Sequence, residues 1–385
     1  MDCGRCKGRG YCGLPECPVM RRFRARLRDD PGVQSYMGTA PSVFVGAHGW
    51  PAVSAGPLLS GDPDDPEKWV ARNLALGDIV DIRARTIRGR SRGRRVGGSL
   101  EEIALSSSPL DVEAHFEKPI HTAITFDGTI TPVGLSGLLD RLDVLDNARV
   151  ARPVDRVTGD TDLSATEATD ILYRSGVSVH RITQLLSAGL LGRRRRVVPS
   201  RWAITAVDDM LFSGLKRQLV RLPPLPEMRI HHAQLHGNRI ACLLVPGPWE
   251  FEMVEMWQPR SLWAHETESV SHDGERGLKT HPSSPLAGAY YSARLAVADH
   301  LCGLGAGATA LIVRRVSPDY WAPLGTWVIR EAVRSALASP PLVPETLREA
   351  TAGLDALLGT TRWRDNSALL PRLRSQTTLG DFGGG

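Results

Sequence analysis

The chain has 385 residues, 42% of them hydrophobic and 23% charged, with a formal net charge of +5. That length exceeds one ordinary core, so two or three domains are expected. The longest uncharged apolar run, Leu301 to Val313, is glycine-interrupted and too short to span a bilayer, so it reads as buried core. No secretory-type apolar segment follows Met1, which predicts a cytoplasmic protein whose cysteines stay reduced unless they bind metal. The basic residues are clustered and mostly arginine, which allows a nucleic-acid or nucleotide partner without requiring one.

Four of the 6 cysteines, Cys3, Cys6, Cys12 and Cys17, stand near the N-terminus in the order C-x2-C-x5-C-x4-C, with Gly4, Gly8, Gly10 and Gly13 between them. Tetrahedral zinc needs four thiolates converging at about 2.3 Å, and short glycine-rich loops let the backbone deliver them. A segment this short has no core, so a structural Zn2+ would supply its folding energy. The alternatives are a disulfide pair or unbound thiols. Arginines surround the cluster, among them Arg5, Arg9 and Arg21. Cys242 and Cys302 lie in apolar contexts and read as buried.

A short basic helix is expected over Met20–Asp29. Ser42–Gly46 and Ala52–Gly56 read as strands joined by the turn His48-Gly49-Trp50-Pro51, and Glu67–Leu76 as a helix with Trp69 inward. Between Arg83 and Arg95 arginine recurs with glycine, which predicts a mobile basic loop. Arg90, Arg92, Arg94 and Arg95 are its phosphate-binding candidates, against a plain solvated loop. Ser99–Leu105 reads as a helix. Asp111–Pro119 alternates as a strand with Asp111, Glu113, His115 and Glu117 on one face, either a metal-binding edge or a wet surface.

The clearest local pattern is two helices, Thr166–Gly176 and Ser178–Gly189, with Gly176 ending the first and Ser178 capping the second. A basic strand or wing after them would complete a helix-turn-helix-like unit. There the chain carries Arg193, Arg194, Arg195 and Arg196, then Arg201, all candidates for nucleic-acid or phosphate binding. Thr205 and Asp208 fit a capping box at a helix start, with Val207, Leu211, Leu215 and Leu219 on one face. Asp208 and Asp209 thus read as helix-start residues, with metal binding as the rival reading.

Strands are expected at Arg239–Val245, Glu250–Trp257, Ser261–Glu268 and Ala308–Val316, the first three forming a sheet with one acidic face. Helices are expected at Ser283–Leu304, Gly325–Leu337 and Pro344–Leu358. His231, His232 and His236 match no metal-binding motif. In the tail, Gln376, Leu379 and Phe382 have the spacing of the box by which replication and repair proteins dock on the sliding clamp, with Gly383 in place of its second aromatic.

Several of these segments together resemble the archaeal Nre family. They are the cysteine cluster, Ser42–Gly46 with Gly49-Trp50-Pro51, and Gly189–Gly192 running into Val198-Pro199-Ser200-Arg201-Trp202-Ala203-Ile204-Thr205-Ala206. Tyr290–Val297, Tyr320–Gly325 and the tail complete the set. The resemblance covers nearly the whole chain and implies a DNA-damage-response protein. It also implies metal ligands Cys3, Cys6, Cys12 and Cys17 and a sliding-clamp (PCNA) box at Gln376, Leu379 and Phe382. The expected fold is α+β, with two mixed α/β globular parts, a four-cysteine zinc knuckle and a flexible C-terminal tail. Its expected domains are 1–20 (zinc), 21–270 (N-terminal domain with the helix-turn-helix-like unit), 271–370 (C-terminal domain) and 371–385 (tail). The leading function is a nucleoid-associated DNA-repair factor recruited by the clamp and touching DNA through arginines. Its rivals are a metal-dependent enzyme acting on nucleotides or a DNA lesion and a non-catalytic clamp adaptor; the residues specify no reaction.

Overall fold

The computed structural model describes residues 6, 8–27, 32–50, 52–93, 97–121, 134–264, 266–276 and 286–375. Two compact units emerge, Met1–Leu211 with Ala322–Leu324, and Phe212–Trp321 with Gly325–Gly385. Each is a mixed α/β structure built on one sheet.

The first unit runs α1 (Pro18–Leu27), β1 (Val33–Ala40), β2 (Ser42–Val45), β3 (Val53–Leu59), α2 (Pro66–Ala71), α3 (Leu76–Arg85), β4 (Ile87–Gly93) and α4 (Ser99–Leu105). There follow β5 (Leu110–Ile120), β6 (Ser136–Val144), α5 (Arg152–Gly159), α6 (Ala165–Arg174), α7 (Val179–Ser187) and α8 (Ser200–Leu219), which continues into the second unit. Its sheet has the order β1-β5-β6-β4-β3-β2, so β2 is an edge. Only β4 and β6 pair in parallel; the other neighbours are antiparallel.

The hairpin expected around His48–Pro51 is β2 and β3. The expected basic loop is corrected: Arg83 and Arg85 end α3, and Ile87–Gly93 is an interior strand. Gly89 there serves close approach rather than mobility, because a Cβ on it would lie 2.8 Å from Leu139 Cδ1 and 3.0 Å from Pro57 Cδ. Arg88 lies over the Phe44 ring at 4.2 Å and Arg83 pairs with Asp64 at 3.3 Å, so both serve the fold.

The second unit continues with β7 (Arg229–Leu235), β8 (Asn238–Val245), β9 (Glu250–Trp257), β10 (Ser269–Arg276), α9 (Ala287–Leu304) and β11 (Thr309–Val316). It ends with α10 (Trp327–Leu337), α11 (Leu347–Leu358), a 3-10 turn (Arg364–Asn366) and α12 (Leu369–Ser375). Its sheet order is β10-β9-β11-β8-β7, with β9 and β11 parallel. Both faces are covered. Ala241, Leu243, Val254, Met256, Leu311 and Val313 pack with Leu354, Leu358, Trp363 and Leu370, while Cys242, Leu244, Phe251 and Ile312 are buried on the opposite face.

No strand forms among the described residues of 261–268. Arg260 adopts a left-handed φ of 64° and Ser261 N–H bonds back to Gln258 O, so the chain reverses and β10 begins at Ser269. Nor does this sheet have one apolar and one acidic face: Glu252 shares a face with Val254 and Met256, and Glu255 and Glu275 lie on the opposite one with Phe251. Glu252 is buried and accepts from Ala368 N at 2.7 Å and Leu369 N at 3.2 Å, capping α12. Glu255 is buried against Arg314, and Glu275 against Arg294 at 2.7 Å.

His231 is buried, with Nδ1 2.9 Å from the Ser339 carbonyl; its ring lies 5.5 Å, centroid to centroid, from that of His300 on α9. Burial pushes His300 down to about 4, with His231 and Arg229 adding repulsion and Asp299 opposing. An unfolded histidine titrates near 6.5, so between about pH 6.5 and 4 the unfolded chain binds a proton that the folded chain refuses. Stability therefore falls as pH drops through that window. Melting temperatures measured against pH are expected to decline less steeply for His300→Phe than for the parent.

Candidate nucleic-acid interface

The site is built on α6, α7 and the loop that leads into α8. Ser164 caps α6 through a reciprocal capping box with Glu167. Gly176 ends it with φ of 80° while Val177 N–H reaches Leu172 O at 3.0 Å, and Ser178 caps α7 by accepting from Arg181 N. The two-helix unit thus forms as its sequence predicts. No residue of α7 is exposed, however, and a recognition helix must present side chains to a groove, so α7 is not placed as one. The basic segment after it is an irregular loop, neither strand nor wing.

Gly189 leaves α7 at φ of 76°, and a Cβ there would lie 2.6 Å from the Arg196 carbonyl carbon, so the arginine loop folds back over the helix end. The four consecutive arginines divide. Arg193 Nε donates to Asp162 O at 2.7 Å, and Arg195, at φ of 47°, donates to Asp160 O at 2.8 Å and to Leu190 O at 2.5 Å. These two fasten the loop. Arg194 and Arg196 are exposed, and so is Arg193 despite its bond to Asp162 O; only Arg195 is half-buried.

Ser200 then ties the loop to the sheet. As an edge strand, β2 has N–H groups with no neighbouring strand, and Val45 N–H donates to Ser200 Oγ at 3.1 Å. Ser200 Oγ lies 2.9 Å from Ser187 Oγ, whose proton goes to Val198 O at 2.9 Å. This chain sets the start of α8 beside the β2–β3 turn. It brings Trp202 against Trp50, with ring centroids 5.4 Å apart and planes at 63°. Both indoles stay in solvent, 41% and 45% exposed, and Arg201 beside them is exposed too. Composition gave no sign of this pairing; the only signal was that each tryptophan belongs to a distinctive block.

Among the remaining candidates, Arg90 is exposed on β4. Arg92 lies on that strand opposite Ser54, while Arg94 and Arg95 fall outside the described residues. Burial brings Arg88 down to about 10, with Arg83 adding repulsion and Asp64 opposing. On β5, Glu113 pairs with His115 at 3.0 Å across a partly wet face. Asp208 is not at a helix start: α8 begins at Ser200, which leaves Asp208 mid-helix and 0% exposed. Gln376, Leu379 and Phe382 lie outside the described residues.

Of the predicted metal ligands, Cys6 is buried, Cys12 and Cys17 are half-buried, and Cys3 lies outside the described residues. Burial alone raises the Cys6 thiol, but hydrogen bonds from the backbone of Tyr11, Cys12, Gly10 and Arg9 outweigh it, and its pKa falls. A sulfur ringed by N–H donors is suited to a thiolate, the form that ligates metal. Gly8, Gly10 and Gly13 all take left-handed φ, which permits the tight turns around it. No group of three or more His, Cys, Asp or Glu arranged to hold a metal occurs among the described residues. Nearby, Arg21 is bound to Asp81 through Nε at 2.8 Å and Nη2 at 2.7 Å, which pins α1 to α3.

Comparison with known proteins gives this geometry a context. The profile described as Archaeal Nre, N-terminal, matches residues 11–264, and that described as Archaeal Nre, C-terminal, matches 274–382. The chain is 32% identical to DNA repair protein NreA of Archaeoglobus fulgidus, over 99% of this chain and 98% of that one. It is 34% identical to DNA repair protein NreB of the same organism, over 99% and 100%, and 33% identical to DNA repair protein NreA of Haloferax volcanii, over 94% and 91%. No solved structure matches. The two profiles and the full-length relatives agree, and the chain belongs to the archaeal Nre family.

Proposed function

We propose that this protein acts in DNA repair, holding DNA through exposed arginines of its first unit while its C-terminal tail docks on the sliding clamp (PCNA). The observation that carries the reading is the Ser200–Val45 junction, which joins two family-marked segments and leaves Arg194, Arg196 and Arg201 exposed around it. Guanidinium groups fork onto phosphate oxygens and stay charged at any cellular pH, so such a surface binds a phosphodiester backbone without reading its sequence. Arg90, exposed on β4, is followed in the sequence by Arg92, Arg94 and Arg95, a second basic stretch that we assign to phosphate binding. The names of the full-length relatives support the repair role. The tail reading rests on Gln376, Leu379 and Phe382, an i, i+3, i+6 set that one helical turn would gather into an apolar plug. Zinc held by Cys3, Cys6, Cys12 and Cys17 would fold the N-terminal segment, and the N–H donors around Cys6 support that assignment.

No membrane partner enters this reading, and no described helix is long and apolar enough to cross a bilayer. Duplex DNA binding measured against salt is expected to be steep. Replacing Arg194, Arg196 and Arg201 together by Gln should lower the slope of log affinity against log salt by about 2 to 3, since each duplex phosphate contact contributes roughly 0.9. An unchanged slope would remove these arginines from the interface. Deleting residues 376–385 is expected to abolish binding to the clamp in surface plasmon resonance, whereas Gly383→Phe, which restores the second aromatic, should strengthen it. Metal analysis of the purified chain should find zinc, and Cys6→Ser should lower that content and loosen the N-terminal segment to proteolysis.

A further inference from the structure

We infer that the Trp50–Trp202 pair is a stacking site for unpaired bases, so that this surface binds single-stranded DNA more tightly than duplex, with Arg194, Arg196 and Arg201 on the phosphates of either. The inference rests on the arginine reading above and adds to it the class of DNA.

Large aromatic side chains contribute most when buried, yet these two are 45% and 41% exposed. Their arrangement is edge-to-face, at 5.4 Å and 63°, and in that geometry the partner covers at most one face of one ring. Ring surface is therefore left for a third aromatic group. Both rings are held in place beforehand. Trp202 sits in the first turn of α8, fixed by the Ser200 contact to Val45, and Trp50 follows Gly49, whose left-handed φ of 82° closes the turn through Ala52 N–H to Gly49 O at 3.1 Å. Preorganised rings lose little freedom on binding.

The charge of the two segments that carry the pair selects the ligand. No Asp or Glu occurs between Ser42 and Leu59 or between Arg193 and Val207, whereas Arg193 to Arg196 and Arg201 all do. Aromatic faces bordered by arginine match a chain that alternates bases with phosphates. Inside a duplex each base face is taken by its neighbours, so only an unpaired base offers one to tryptophan.

The test uses the full chain with an oligothymidylate of about 15 nucleotides, within the span of single-strand sites, and a blunt duplex of equal length. Tryptophan fluorescence is expected to be quenched by the single strand. Trp50→Ala and Trp202→Ala should each weaken single-strand binding by about 5- to 100-fold, leaving duplex binding and the salt slope unchanged. Trp202→Phe should retain most of the affinity. Both positions are exposed, and melting curves that overlay the parent's would show that the variants fold. Single-strand affinity that survives both alanine variants, or a loss shared equally by the duplex, would overturn the stacking site and leave the arginine reading intact. Absence of salt-dependent binding to either oligonucleotide would overturn both.

Discussion

One hydroxyl group organises the candidate interface. An edge strand leaves N–H groups unpaired, and such edges are normally blunted or covered. Here Ser200 accepts from Val45 and is itself bound to Ser187, so one short chain of hydrogen bonds links β2, the end of α7 and the first turn of α8. The position of Trp202 against Trp50 follows from it, as does the path of the arginine loop. Arg193 and Arg195 complete the arrangement by binding backbone carbonyl groups of the segment before α6, which fastens the basic run while Arg193, Arg194 and Arg196 stay exposed.

The second unit is held by buried charge as well as by its apolar layers. Arg314 on β11 stands directly across from Glu255 on the parallel strand β9, binds Asn238 through Nε at 2.9 Å, and lies over the Trp257 ring at 5.0 Å. Glu275 receives Arg294, Tyr290 at 3.1 Å and Trp249 Nε1 at 2.8 Å, while Phe212 packs 3.8 Å beneath the Arg294 guanidinium. Pairs of this kind add little net stability over apolar replacements, but leaving one partner alone costs about 3 to 5 kcal/mol. They therefore penalise wrong registers severely, which suits a sheet whose strands are apolar on both faces and would otherwise tolerate sliding. The tyrosine pair in Tyr290–Val297, a family marker in the sequence, lies in this network: Tyr290 binds Glu275 and Tyr291 lies 4.8 Å from the Arg294 guanidinium.

What the sequence determined by itself was local. Gly176 and Ser178 act on the helical turn beside them, so the two central helices and the break between them could be read directly, as could the β2–β3 hairpin and most apolar strands. The family was legible for a related reason, because distinctive short blocks persist as words in the chain. The fate of each polar residue was not, since it depends on what lies opposite. Arginine recurring with glycine at Arg83–Arg95 reads as a solvated loop until β3 and β6 flank it and Phe44 and Asp64 claim two of its members. Thr205 and Asp208 satisfy a cap pattern that the helix ignores, because Pro199 and Ser200 start it earlier and nothing in between breaks it. The meeting of Trp50 with Trp202 joins distant parts of the first unit's chain, and only the tertiary fold decided it, through one serine bonded to the open edge of a strand.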